Sequence, residues 1–223
     1  MRDEMKKTCF LILVLMAALF NLAHAYDDGD FQVWNTDVGE FKVNKDLKLI
    51  LEEEFRWADN ANEFCYHHYD GGLFYSLNKY LSVGAGYRQI YELKSGKFKP
   101  ENDPYLTATL FLEVGGVAFD SRSRLEYRHF DYQDDSWRYR NKFTLKFPWK
   151  FTKMQIQPYI ADEIFIGFGN SVNEFNQNRF SSGLGMSLTK NLKAEIYYML
   201  VSAKSSGIWK DANVLGMKLK ISF

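Results

Sequence analysis

Apolar and polar side chains alternate along most of this chain, and that pattern leaves few folds open. Between residues 137 and 147 one set contains Trp137, Tyr139, Phe143, Leu145 and Phe147; the interleaved set contains Arg138, Arg140, Lys142, Thr144 and Lys146. Between 81 and 88, Leu81, Val83, Ala85 and Tyr87 alternate with Ser82, Gly84, Gly86 and Arg88. Between 179 and 188, Phe180, Leu184, Met186 and Leu188 oppose Arg179, Ser181, Gly183, Gly185 and Ser187. Residues 154–160 and 192–200 repeat the pattern less cleanly. Successive side chains of a strand point to opposite faces, so this spacing predicts strands with one greasy and one polar face. Helical spacing is hard to find.

Turn signals divide the strands. Short connections are expected at Asn44-Lys45-Asp46, Leu77-Asn78-Lys79, Gly115-Gly116 and Thr189-Lys190-Asn191, with a slightly longer one at 148–153. Longer polar connections are expected at 58–62, 92–103, 131–135, 167–176 and 204–210. Alternating short and long connections fit an antiparallel transmembrane β-barrel with short periplasmic turns and longer external loops. The pattern counts about 11 strands, within a range of about 10–12. Bacterial barrels normally have even numbers, so residues 31–43 are expected either to split into two strands or not to span.

The N-terminus sets the expected compartment. Lys6 and Lys7 precede a short apolar run, and Ala23-His24-Ala25 follows it. This is the layout of a secretory signal peptide cleaved after Ala25, because about 12 apolar residues are too few to span a bilayer as a helix. Residues 1–25 are therefore read as a cleaved signal and 26–223 as a single β-barrel domain. The remaining part keeps one cysteine, Cys65, which excludes an internal disulfide. Basic and acidic residues balance at 28 each, which argues against a nucleic-acid partner.

Alternation alone also fits a soluble barrel with an apolar interior. The content of the polar face favours the inverted arrangement. Asp120, Arg122, Arg124, Glu126 and Arg128 share one face, as do Glu52, Glu54 and Arg56; Arg88, Arg138, Arg140 and Lys142 complete a lumen charge network. In that network Arg122, Arg124 and Arg128 are expected to pair with Glu52, Glu54 and their neighbours. Arg138, Arg140 and Lys142 would leave a basic excess for an anionic solute. Aromatics make up 17 % of the chain. Trp57, Trp137 and Trp209 beside long loops, and Trp149 in a short turn, suit two interfacial girdles. Glu53 and Asp162 fall on the greasy face, where a bulge or a position near headgroups would accommodate them. At the C-terminus, Leu215, Met217, Leu219, Ile221 and Phe223 alternate with polar residues. A last strand of this kind suits recognition by the barrel assembly machinery, its edge pairing by strand addition.

Several segments resemble a known family: Phe31-Gln32-Val33-Trp34-Asn35-Thr36, Leu51-Glu52-Glu53-Glu54-Phe55-Arg56, the run from Ser121 to Arg128, and Ser136-Trp137-Arg138-Tyr139-Arg140-Asn141-Lys142. Pro158-Tyr159 followed by Asp162-Glu163 adds to the likeness. The chain is similar over essentially its whole length after the signal to the uncharacterised bacterial family called domain of unknown function 2490. The resemblance implies an exported outer-membrane β-barrel of Gram-negative bacteria and supplies no activity and no catalytic residues.

Candidate chemistry is sparse. His67 and His68 point to opposite faces of one strand, His68 and Asp70 share the expected lumen face, and His129 precedes Asp131, Asp134 and Asp135. No serine motif accompanies either group and no spacing matches a metal site, so no cofactor and no catalytic residue is assigned. Asp131, Asp134 and Asp135 suit a solvated loop better than a Ca²⁺ site. The expected role is a small channel or structural envelope protein with a charged lumen. The alternatives are a lipid- or lipopolysaccharide-modifying enzyme and a soluble periplasmic ligand-binding barrel. Expected partners are outer-membrane lipids, lipopolysaccharide, the assembly machinery and a small solute of unspecified identity.

Overall fold

The structure, a computed structural model, describes residues 28–168, 174–205 and 207–223. The expected signal peptide, with Ala23 and Ala25, lies outside the described residues. Alternating side chains build eleven strands: β1 (Asp30–Lys42), β2 (Leu47–Ala58), β3 (Glu63–Ser76), β4 (Leu81–Lys94), β5 (Lys97–Val114), β6 (Val117–Phe130), β7 (Ser136–Lys146), β8 (Gln157–Phe168), β9 (Glu174–Ser187), β10 (Leu192–Ser205) and β11 (Ile208–Ser222). Each strand pairs antiparallel with its sequence neighbours, and β1 closes the barrel against β11 in parallel. Closure gives every strand two partners, so no row of backbone donors and acceptors is left unpaired at an edge.

The strand number is therefore neither 10 nor 12. Residues 31–43 form most of one continuous strand, which spans like the others, and a parallel seam from Asp30↔Ala212 to Glu40↔Ser222 resolves the parity. An odd number puts the start of β1 and the end of β11 at opposite rims. The C-terminal rim carries Phe223 and the turns at 43–46, 77–80, 115–116, 147–156 and 188–191; the N-terminal rim carries Asp30 and the other connections.

The expected contrast between short and long connections is absent. At the N-terminal rim, pairing runs through the polar stretch at 92–103, where Lys94↔Lys97 closes a hairpin around Ser95 and Gly96, and residues 204–210 behave likewise. The longest described connection, 147–156, lies at the C-terminal rim. Polar residues on both faces of a strand end are compatible with paired backbone in water, so polarity marked the rim and not the loop length. Three turns share one lock. Asn44 Oδ1 accepts from the amides of Asp46 and Leu47, Asn78 Oδ1 from those of Tyr80 and Leu81, and Thr189 Oγ1 from those of Asn191 and Leu192.

Directly paired residues show the tilt. A path from Asp30 through Ala212, Val201, Arg179, Glu163, Lys142, Arg122, Thr109 and Ser82 ends on Ser76, at the opposite rim of β3. Such a stagger requires strongly inclined strands. With 11 to 18 residues per strand at about 3.3 Å each and a tilt of about 45°, the wall stands about 25–40 Å tall.

Inside, aromatic rings fit over glycines of the neighbouring strands. Tyr197 lies opposite both Gly183 and Gly216, and its ring covers Gly216 so closely that a Cβ there would sit 2.0 Å from it. A Cβ on Gly183 would lie 2.7 Å from both the Ile196 carbonyl oxygen and Tyr197 Cβ, neither of which can swing away. At Gly185, two residues on, the nearest atom would be 3.9 Å off. Gly183→Ala is therefore expected to cost about 1–3 kcal/mol in denaturant unfolding, whereas Gly185→Ala should stay within about 0.5 kcal/mol.

Candidate functional site

The inward face of the strands brings the ionic residues together. All twelve residues of the expected charge network point into the barrel, but their partners differ from those expected. Glu126, fully buried, accepts from Arg138 Nε at 2.5 Å and from Arg140 Nη1 at 3.0 Å. Arg138 reaches on to Asp103 at 3.2 Å, and Arg140 to Glu163 at 2.9 Å. Arg128 holds Glu101 through two nitrogens, at 2.5 and 3.0 Å. Arg88 bridges Asp70 at 2.8 Å and Glu52 at 3.5 Å, while the Tyr105 hydroxyl donates to Asp70 at 2.6 Å. Arg124 stands 3.5 Å from Asp70 and 3.8 Å from Glu126, with its guanidinium over the Tyr105 ring.

The expected pairing of Arg122, Arg124 and Arg128 with Glu52 and Glu54 is thus not formed. Arg122 pairs with Glu163 at 3.1 Å, Glu54 with Arg56 at 2.5 Å, and Glu52 with Lys218 and Arg88. The reason is topological. β6 packs between β5 and β7, so its cations meet carboxylates of β3, β5, β6 and β8 rather than β2. Of the three cations expected to leave a basic excess, Arg138 and Arg140 are fully engaged. Lys142 alone has no ion pair among the described residues.

Sequence reading also missed inner-wall members. Glu101, Asp103, Glu163, Glu195 and Lys218 all follow the period of two on their strands, and extending the parity would have found them, as it placed Asp70 on the lumen face. Trp34 could not be found that way as an ion-network member. It is buried inside, sandwiched by Arg56 at 3.6 Å and Arg179 at 5.0 Å from its ring centroid. A planar guanidinium can stack on an aromatic face while its edge pairs with a carboxylate, as Arg56 does with Glu54.

The two halves of the lumen differ. Towards the N-terminal rim, Asp30, Ala58, Ile90, Glu101, Asp103, Phe130, Phe165 and Val214 are all buried. In the middle and towards the C-terminal rim lies a cavity of about 310 Å³, lined among others by Glu52, Asp120, Arg122, Lys142, Lys146, Tyr159, Glu195, Tyr197 and Lys218.

The outer face is apolar. Leu106, Leu110, Leu73, Phe180, Phe143 and Leu125 are exposed between two sets of aromatic pairs. At the N-terminal rim Trp57 meets Phe64, Trp137 meets Tyr127, and Trp209 meets Phe175. At the C-terminal rim Trp149 stacks on Phe147, and Phe223 on Phe41 at 4.7 Å. Leu215, Met217, Leu219 and Ile221 lie on the same outer face of β11. Glu53 and Asp162 do face outward, but no bulge serves them, since the register shifts fall at Arg56/Trp57 and Phe165/Ile166. Asp162 instead accepts from the Asn178 side chain at 2.9 Å, and Glu53 lies opposite Asp37.

The histidines occupy separate environments. His68 is buried in the lumen, 3.1 Å from the Tyr66 hydroxyl and 3.4 Å from Glu52. His67 stacks outside on Tyr91 and lies among Phe55, Phe64 and Phe98. Beyond the apolar band, Asp135 accepts hydrogen bonds from His129, the Tyr127 hydroxyl and the Phe130 amide. Those bonds lower its carboxyl to about 2, and the carboxylate in turn raises His129. Asp131 also stands 3.8 Å from His129, and no group of three or more potential metal ligands occurs among the described residues.

A sequence model of the family described as "Protein of unknown function (DUF2490)" matches residues 31–211. No curated protein and no solved structure matches the chain.

Glu126 anchors two guanidinium groups in a closed space, so removing it strands both. Glu126→Ala is expected to cost about 3–5 kcal/mol in denaturant unfolding. Breaking the exposed Lys45–Asp46 pair, 3.7 Å apart, with Lys45→Ala should cost at most about 1 kcal/mol.

Proposed function

The chain belongs to the DUF2490 family of proteins of unknown function, and from that premise we propose that it is a structural outer-membrane β-barrel of a Gram-negative bacterium, held shut by its own lumenal ion network. The observation that carries this reading is the inversion of polarity: paired charges fill the inside while leucines and aromatics cover the outside. A soluble domain seldom exposes a contiguous apolar surface larger than a few hundred Å². A bilayer wants such a band about 25 Å tall, with an aromatic girdle at each edge. The pairs around Trp57, Trp137 and Trp209, and those of Trp149 and Phe223, supply two such edges.

By the same reading the C-terminal rim faces the periplasm, as the last strand of such barrels does. Burial of the inward side chains near the other rim favours a closed barrel over an open pore. With 11 strands the interior lies between small barrels that side chains can fill and wide porins that they cannot. Phe223 has a place in assembly on this account: its amide donates to the Glu40 carbonyl at 2.8 Å, and its carbonyl accepts from the Lys42 amide at 3.3 Å. Those bonds finish the parallel seam.

Cell fractionation and bilayer recordings test the proposal. The protein should appear in the outer-membrane fraction with heat-modifiable gel mobility, and deletion of Phe223 should lower the folded fraction severalfold. In planar bilayers it should give no steady conductance step. Recovery in the periplasmic extract would contradict the membrane reading, and a steady ohmic step would contradict the closed lumen.

A further inference from the structure

The lumenal cavity is too charged to be packing filler and too small to be a channel. Its volume of about 310 Å³ sits at the low end for small-molecule sites. Eight lysine and arginine side chains line it against five carboxylates. Most of these cations are matched. Lys146 holds Asp120 at 2.6 Å, Lys218 holds Glu52 at 3.3 Å, and Arg122 and Arg140 share Glu163.

The exceptions are Arg179, which stacks on the Trp34 and Phe165 rings, and Lys142. Lys142 projects inward from β7, half-buried, directly opposite Arg122 on one side and Glu163 on the other. It forms no hydrogen bond or ion pair with any described residue. The charges that act on its ammonium are Glu163, Arg122, Lys218 and Glu195. Glu163 is already shared by two guanidinium groups, and Glu195 accepts the Tyr159 hydroxyl at 3.3 Å. Lys218 comes from β11, across the bore from β6 and β7, and Arg122 and Glu195 act on it as well. Three cations from two walls therefore line one space, and Lys142 among them has no carboxylate partner while Glu163 and Glu52 serve the other two.

We propose that this space binds a small tetrahedral oxyanion, namely inorganic phosphate or the phosphoryl group of a small monoester, held by Arg122, Lys142 and Lys218. Three cations approaching from different directions match oxygens that radiate from a tetrahedral centre better than the two coplanar oxygens of a carboxylate. Bound there, the anion relieves the repulsion among the three cations and gives Lys142 acceptors. Arg122 offers a fork of donors and the lysines offer point charges. The side chains of Arg122 and Lys218 are 34 % and 31 % exposed, so both remain reachable from the cavity. Glu163 and Glu195 oppose any anion in the same space, so binding depends on meeting the donors of all three cations together, which the several oxygens of a phosphoryl group can do and a chloride ion cannot. The cavity holds more than a phosphoryl group, leaving room for a short ester substituent beside Tyr159 and Tyr197. The site needs only the barrel interior and does not depend on where the barrel resides.

Isothermal titration calorimetry on the full barrel folded in detergent micelles, at low ionic strength, tests this. The ligands are inorganic phosphate, glycerol 3-phosphate and succinate. Saturable one-to-one binding of at least one phosphate ligand is expected. Lys142→Gln should weaken it tenfold or more, the factor that about 1.4 kcal/mol represents; Lys142→Arg should retain it, and Lys45→Gln in the distant β1–β2 turn should leave it unchanged. Tighter binding of glycerol 3-phosphate assigns a monoester, and tighter binding of inorganic phosphate assigns the free ion. Heat-modifiable mobility reports whether each variant folds; if Lys142→Gln does not, Lys218→Gln takes its place with the same loss of tenfold or more expected. Absence of saturable heat with both phosphates, succinate binding as tightly as they do, or wild-type affinity in the charge-removing variant would each overturn the proposal.

Discussion

Moving an ionised side chain out of water costs several kcal/mol unless opposite charge and hydrogen bonds meet it. The inner wall of this barrel depends on that requirement being met many times over. Glu126, fully buried, is met by two guanidinium groups, each of which meets a second carboxylate: Asp103 for Arg138 and Glu163 for Arg140. The chain of contacts runs from β5 to β8. Arg88, Asp70 and Glu52 extend an equivalent series across β2, β3 and β4. Such a network is poorly suited to a solvent-exposed core of an ordinary domain and well suited to a tube whose outer face is greasy.

The network also fixes where space remains. Near the N-terminal rim, Phe130, Phe165, Ile90 and Val214 are buried beside the ion pairs. Nearer the C-terminal rim the inward positions carry long, flexible lysines that pair at the wall, as Lys146 does with Asp120 and Lys220 with Glu40. A cavity survives between them. One half of the barrel is thus packed for stability, while the other keeps unmatched positive charge facing a small volume.

Much of this was legible in the residues because a strand's two faces are an arithmetic of odd and even positions. Arg138, Arg140 and Lys142 had to share a face, and Trp137, Phe143 and Leu145 had to share the other. The partners were not legible, because ion pairing follows strand adjacency and stagger, and neither is written in the local pattern. Arg122 finds Glu163 two strands away rather than Glu52. Strand parity misled for a related reason: evenness is a habit of antiparallel closure, and β1 closes in parallel. Trp34 was opaque too. An indole on the ionic face reads as an error in the alternation until Arg56 and Arg179 are seen stacked on it.

The claim on which the account rests is that the apolar face meets lipid and the ionic face does not. A nitroxide label walked along β5 from Tyr105 to Leu110 in reconstituted bilayers measures this residue by residue. Leu106 and Leu110 are 65 % and 54 % exposed, while Tyr105 and Thr107 are buried. The account predicts strict alternation, with labels at 106, 108 and 110 relaxed by dissolved oxygen and shielded from a water-soluble nickel complex. Relaxation of those three labels by the nickel complex would contradict it.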